Sequence, residues 1–135
     1  MIDVQAVMKK LQYKGQSPVL VMNAPVEMAP VVDGFAALTA EVHASPSATY
    51  SFAIAFAQSL ADANAIASAV PHVLEGDALF WFAYPKQSSK RYKADVNRDS
   101  TWPIFEPTGW RPVAQVAIDD DWSAVRLRRA DLVKK

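Results

Sequence analysis

From the amino terminus, apolar residues recur at intervals of three and four: Ile2, Val4, Val7, Met8 and Leu11. That period predicts an amphipathic helix from about Asp3 to Tyr13. Lys9, Lys10 and Lys14 fall toward its carboxyl end, where cations suit the helix dipole, and Gly15 supplies a stop. The pattern then changes. Pro18 to Met22 is short, almost wholly apolar and partly β-branched, as in a strand covered on both faces. Asn23, Ala24 and Pro25 end it. Between Val26 and Gly34 no period holds; Pro25 and Pro30 leave little room for a helix, and Asp33-Gly34 predicts a turn. Phe35 to His43 alternates Leu38, Ala40 and Val42 with Thr39, Glu41 and His43, which predicts a second strand. Ser45-Pro46-Ser47 reads as a loop and Tyr50 to Ala57 as a third strand.

Ser59 then caps a helix whose apolar positions are Leu60, Ala63, Ile66, Ala67 and Val70, with Asp62 completing a weak capping box. Pro71 ends it, and Glu75-Gly76-Asp77 turns the chain. Ala78 to Tyr84 is apolar at every position and predicts a strand covered on both faces. Residues 86 to 109 are polar and interrupted by proline, with one or two helical turns between Ser100 and Glu106. Arg111 to Ile118 and Ser123 to Arg129 alternate around Asp119-Asp120-Asp121. A three-residue link cannot make a parallel crossover, so these two runs form an antiparallel hairpin. The Ser59 helix and the 86–109 segment are long enough for parallel crossovers. The gap between the second and third strands is not, which predicts at least one antiparallel pair there. The order specifies an α/β fold: a mixed, mostly parallel sheet flanked by helices, with a C-terminal hairpin.

Length, at 135 residues, makes this one domain, large enough to fold without a metal or disulfide. Fourteen basic residues cancel fourteen acidic ones, which argues against a dedicated nucleic-acid binder. No apolar stretch reaches the roughly 18 residues of a membrane span, and no signal-peptide pattern opens the chain. The cytoplasm is therefore the expected location. With no cysteine, thiol catalysis and thiolate metal sites are excluded. The four glycines are scattered, which excludes a glycine-rich phosphate loop.

In open α/β sheets, ligands bind beyond the carboxyl ends of the parallel strands. Asn23, Ser59 and Lys86 would converge there, and the start of the Ser59 helix favours an anion. Lys90 and Arg91 extend this expected small-anion site. The alternative is that Asn23 and Ser59 are turn and cap residues and Lys86 is solvated. Lys86, Lys90, Arg91, Lys93 and Arg98 share a segment with Tyr92 and Trp102, a pattern that can hold single-stranded nucleic acid; a solvated loop is the commoner explanation, and nucleic acid is not an expected partner. His43 could act as a base with Glu41 or Asp33, or sit at the surface. Asp119-Asp120-Asp121 reads as a turn far from the cleft rather than a metal site, and no metal is expected. Trp102, Trp110 and Trp122 are candidate interface residues, since tryptophan is enriched in binding hot spots; core packing is the competing use.

Three segments carry a resemblance. Lys10-Leu11-Gln12-Tyr13-Lys14-Gly15-Gln16 leading to Val19-Leu20-Val21-Met22-Asn23-Ala24-Pro25, then Leu79-Phe80-Trp81-Phe82-Ala83-Tyr84-Pro85-Lys86, then Gly109-Trp110 leading to Asp121-Trp122-Ser123-Ala124-Val125-Arg126-Leu127-Arg128, together resemble a family of small bacterial proteins known as a domain of unknown function. The second half also resembles the C-terminal half of a class I methyltransferase: a helix, a Gly-Asp turn, an apolar strand and a final hairpin. In such enzymes a glycine-rich loop after the first strand holds S-adenosylmethionine, and an acidic residue after the second holds the ribose. Asn23-Ala24-Pro25 stands at the first place, and Glu41, inside the second predicted strand, is the nearest candidate for the second. The resemblance implies a degenerate Rossmann-like fold without its cofactor.

Missing catalytic motifs, zero net charge and surplus aromatics lead to the expectation of a binding or self-associating module, with a homo-oligomer or protein partner and no catalysis of its own. The alternative is a small-molecule site, or a diverged methyltransferase-like enzyme, at the strand ends.

Overall fold

The computed structural model describes residues 3–39, 41–93, 95–96 and 98–132, with backbone alone at positions 39, 98 and 99. Helix α1 spans Val4–Lys10, and the Asp3 carboxylate caps it by accepting the Ala6 N–H at 3.1 Å. It stops well before Tyr13 because Gln12 adopts a left-handed φ of 61°. The Leu11 carbonyl, left without a helical donor, accepts the buried Trp81 Nε1–H at 2.9 Å.

Strand β1 is Val19–Met22. A 3-10 turn, Val26–Met28, follows and leads into helix α2, Ala29–Thr39. The predicted strand from Phe35 to His43 is therefore mostly helix; only Val42–His43 forms a strand, β2. Pro30 occupies the first turn of α2, where a backbone N–H has no helical acceptor to lose. Gly34 is a contact rather than a turn: a Cβ there would lie 2.7 Å from Val4 Cγ1 and 3.0 Å from Met8 Cε. Its missing side chain lets α2 lie directly on α1.

Strand β3, Tyr50–Phe56, runs parallel to β1, as β2 does on the other side. The predicted antiparallel pair is absent here. Because β2 is two residues long, residues 44–49 need only a short return to reach the start of β3. Helix α3 is Leu60–Ala69, with Ser59 Oγ accepting the Asp62 N–H at 3.1 Å. Strand β4, Leu74–Pro85, begins earlier than the pattern predicts. The Glu75-Gly76-Asp77 signal appears as a bulge: Tyr50 pairs with Leu74, but Phe52 pairs with Leu79, and Gly76 takes a φ of 58°. Helix α4 is Arg98–Phe105, and the hairpin comprises β5, Trp110–Ala117, and β6, Trp122–Arg129.

The sheet order is β2-β1-β3-β4-β6-β5. The first four strands are parallel, β6 is antiparallel to β4, and β5 is antiparallel to β6. This is the mixed, mostly parallel, helix-flanked sheet expected. Side-chain size is divided between its faces. Phe52, Ile54 and Phe56 of β3 join Val7 of α1, Leu11 just after it, and Val31 and Phe35 of α2. Ala53 and Ala55 face Ala63, Ile66 and Ala67 of α3, leaving room for Phe80, Phe82 and Tyr84 of β4 on that same side. Small residues on one strand thus make space for aromatic rings on the next. Among the described residues, no helix is long and apolar enough to cross a membrane.

The contact at Gly34 yields a direct test. Gly34→Val forces a branched side chain into Val4, and overpacking of this kind costs about 2 kcal/mol. Urea unfolding is expected to show that loss, with Ala37→Val, on an exposed position of the same helix, close to wild type. Equal stabilities for the two variants would contradict the packing.

Candidate functional site

Between β1 and β3 the chain's course reverses: it leaves β1 for β2 on one side and returns to β3 on the other. This topological switch point is where open α/β sheets bind ligands. Asn23, Ser59 and Lys86 follow β1, β3 and β4 respectively and lie at this carboxyl end. Asn23 is exposed and holds a φ of 60°, a conformation asparagine tolerates better than most residues. Ser59 caps α3. Two donors at that helix start are already engaged: Leu60 N–H bonds Asp95 Oδ1 at 2.6 Å, and Asp62 N–H bonds Ser59 Oγ. An anion at the Leu60 N–H would have to displace the chain's own carboxylate. Lys86 lines a cavity of about 310 Å³ with Pro85, Ser89, Tyr92 and Lys93; Lys90 is exposed.

The centre of the carboxyl end is a residue that the hydrophobic pattern does not single out. Glu27 sits in the 3-10 turn after β1, and its Oε2 accepts a 3.0 Å bond from the buried Trp122 Nε1–H and a short one from the Tyr92 hydroxyl. Arg91 Nη1 stands 3.7 Å away. Burial pushes the Glu27 carboxyl upward. The bonds from Tyr92, Trp122 and its own backbone N–H, with the Arg91 charge, outweigh that and hold it below its ordinary value. Burial, and then the bond to the Glu27 carboxylate, push the Tyr92 phenol up to about 12. The pair is therefore a carboxylate and a neutral phenol.

Beside Glu27 opens a cleft of about 520 Å³, walled by α1, the start of α2, Arg91 and the β5–β6 turn. Five carboxylates line it (Asp3, Glu27, Asp119, Asp120 and Asp121) against Lys10 and Arg91. The aspartate turn is thus part of this end of the sheet, contrary to its expected remoteness. Since β6 runs antiparallel to β4, the turn before Trp122 must lie beside the end of β4 at Pro85. Two bonds fix it there: Lys86 N–H to Asp121 O at 2.8 Å, and Ser89 Oγ–H to Asp121 Oδ1 at 2.8 Å. Asp119 Oδ1 closes the turn by accepting the N–H groups of Asp121 and Trp122. Among the described residues, no group of three ligating side chains could hold a metal.

The three tryptophans proposed for an interface separate. Trp110 and Trp122 are buried on opposite faces of the sheet, against Phe80 and Phe56 respectively, so neither presents a surface to a partner. Trp102 is 45% exposed, with the Arg111 guanidinium 5.1 Å above its ring. His43 meets Glu41 at 2.6 Å through Nε2, and Tyr50 at 2.6 Å and Ser47 at 3.0 Å through Nδ1. Nδ1 is thus shared between Tyr50, which lies nearer, and Ser47.

The S-adenosylmethionine place of a class I methyltransferase does not fit these residues. The loop after β1 presents two side chains and a proline ring where a glycine loop would let a ligand approach. The following helical turn is filled by Glu27. Glu41 precedes β2, level with the start of β1, whose Val19 N–H bonds its carbonyl at 3.1 Å; its carboxylate is held by His43, and residues 44–49, after β2, include no acid.

Solved structures nevertheless share this fold. The chain is similar to the N-methyltransferase NodS from Bradyrhizobium japonicum WM9 with a TM-score of 0.58 and 10% identity, over 93% of each chain. It is similar to a SAM-dependent methyltransferase from Aquifex aeolicus with a TM-score of 0.62 and 12% identity, over 95% of this chain and 90% of that one. A putative type 11 methyltransferase from Sulfolobus solfataricus gives a TM-score of 0.63 at 9% identity, over 93% and 90%. No family model and no curated protein matches the chain. At these identities the likeness establishes the methyltransferase-like fold.

Glu27 makes stability depend on pH with a definite sign. Its folded pKa lies below the unfolded value of about 4.3, so its contribution is complete above that value and fades as pH falls through the folded one. Glu27→Gln is expected to be less stable than wild type at neutral pH, with the difference shrinking below about pH 4. Urea unfolding across pH measures it; a difference independent of pH would contradict the assignment.

Proposed function

We propose that this chain is a diverged methyltransferase-like protein that binds a small organic cation at the carboxyl end of its sheet. The observation that carries the reading is the cleft beside Glu27, with five carboxylates against two cations on its walls. Its volume falls in the range of small-molecule sites, about 300 to 1,000 Å³, and it adjoins the switch point of the sheet. The charge here favours a cation, at a place distinct from the small-anion site expected around Asn23, Ser59 and Lys86: a low-dielectric wall lined by one sign of charge concentrates ligands of the other. Glu27 lies at its inner wall, with its carboxylate kept ionised by its neighbours.

S-adenosylmethionine, named with the Aquifex aeolicus enzyme, is itself a cation through its sulfonium. The acidic cleft would favour that charge in a place other than the loop after β1. The reading concerns binding: Asn23-Ala24-Pro25 gives methyl transfer no cofactor cradle.

A thermal-shift titration with spermidine, S-adenosylmethionine, S-adenosylhomocysteine and AMP tests the proposal. A ligand at 100 times its Kd stabilises by about 2.7 kcal/mol. Spermidine and S-adenosylmethionine are expected to raise the Tm, the neutral-sulfur S-adenosylhomocysteine less so, and AMP not at all. Asp120→Asn should weaken the cations about fivefold, the effect of one unit charge at about 4 Å in water. A response to AMP without one to the cations, or no response to any of the four, would overturn it.

A further inference from the structure

Where the chain leaves β4, a second cavity of about 310 Å³ opens beside the acidic cleft. Two side chains separate the charges of the two. Ser89 and Tyr92 line the second cavity, and each sends its hydroxyl to an acid of the cleft wall: Ser89 Oγ–H to Asp121 Oδ1 at 2.8 Å, and the Tyr92 hydroxyl to Glu27 Oε2. Among the described residues, no carboxylate lines the second cavity. Asp95, two residues beyond Lys93, is bound to the Leu60 N–H at 2.6 Å.

Two lysines stand on the walls instead. Lys86 is half-buried and Lys93 exposed. Neither ammonium, nor the Gln87 amide beside them, has a partner among the described residues. Two like charges on one cavity repel each other, and an anion between them turns that repulsion into attraction. The remaining lining is apolar: Pro85 and Val96 are buried, and Tyr92 adds its ring. An apolar floor with a few convergent polar groups suits a ligand that has a ring and one charged head.

The backbone selects which anion that head is. Phosphate sites gather free backbone N–H groups around the oxygens. Here the Lys86 N–H donates to Asp121 O at 2.8 Å and the Ser89 N–H to Lys86 O at 3.0 Å. The N–H groups of Arg91 and Tyr92 both donate to Ser89 Oγ, at 3.2 and 3.1 Å. With these donors engaged inside the segment, two ammonium groups and one amide remain, a set matched to the two oxygens of a carboxylate.

We propose that this cavity binds a small aromatic carboxylate, with its ring over Pro85, Val96 and Tyr92 and its carboxylate between Lys86 and Lys93. The site shares no lining residue with the acidic cleft and does not rest on the cation reading.

Backbone amide shifts of isotopically labelled protein, followed during titration with naphthoate, test it. Perturbations are expected at residues 86–93, with a Kd of about 1 mM, as the usual ligand efficiency gives for a molecule of this size. Acetate, with the charge and no ring, and naphthamide, with the ring and no charge, should each bind at least about tenfold more weakly. Lys93→Gln should weaken naphthoate about fivefold, the effect of one unit charge at about 4 Å in water. Lys90→Gln, exposed on the same segment and outside the cavity, should stay within about twofold because solvent and salt screen it. AMP should not displace naphthoate. Equal affinity for naphthoate and naphthamide would overturn the proposal. So would equal weakening by Lys90→Gln and Lys93→Gln, displacement by AMP, or perturbations that leave residues 86–93 unmoved.

Discussion

The Glu27 carboxylate joins three parts of the chain that the sheet alone would leave independent. It follows β1, while Tyr92 belongs to the segment after β4 and Trp122 begins β6. Each group needs the others. The Trp122 indole is fully buried and its N–H requires an acceptor. The carboxylate, mostly enclosed, requires donors. Tyr92 packs edge-on against Trp122 at 5.1 Å while donating to Glu27, which ties the long polar segment down over the strand ends. Removing the acid would leave the buried Trp122 N–H and the half-buried Tyr92 hydroxyl without their acceptor.

That constraint also explains how a methyltransferase-like fold lacks the site such folds ordinarily carry. An anion at the first helical turn after β1 is favoured by the free N–H groups there, and in this chain the anion is a side chain. The same holds at α3, whose first N–H is taken by Asp95. With the chain's own carboxylates on donors of the carboxyl end, the adjoining cleft keeps the acidic cap of α1 and the aspartates of the β5–β6 turn on its walls, a charge that favours cations there.

Much of the fold was legible in the hydrophobic pattern because strands such as Phe80-Trp81-Phe82 and helices such as Leu60–Ala69 are locally consistent with their tertiary place. Helix α2 was hidden by two residues whose usual meaning is reversed by position. Pro30 breaks helices only beyond their first turn, and Gly34, read as a turn, is a point of contact with Val4 and Met8. Gly76 did mark an irregularity, but within a strand rather than before it. The site was harder to read. Glu27 lies in a stretch without period, and the aspartate turn joins the strand ends only through the antiparallel placement of β6, which depends on contacts across the sheet. The separation of Trp110 and Trp122 onto opposite faces has the same origin.

The central claim is that ligand recognition has moved from the loop after β1 to the acidic cleft beside Glu27. Backbone amide chemical shifts, followed during a spermidine titration of isotopically labelled protein, test it most directly. The account predicts perturbations confined to Ala6, Glu27, Arg91 and residues 118–121. Perturbations centred on Asn23 and Ser59, with the cleft unmoved, would contradict it.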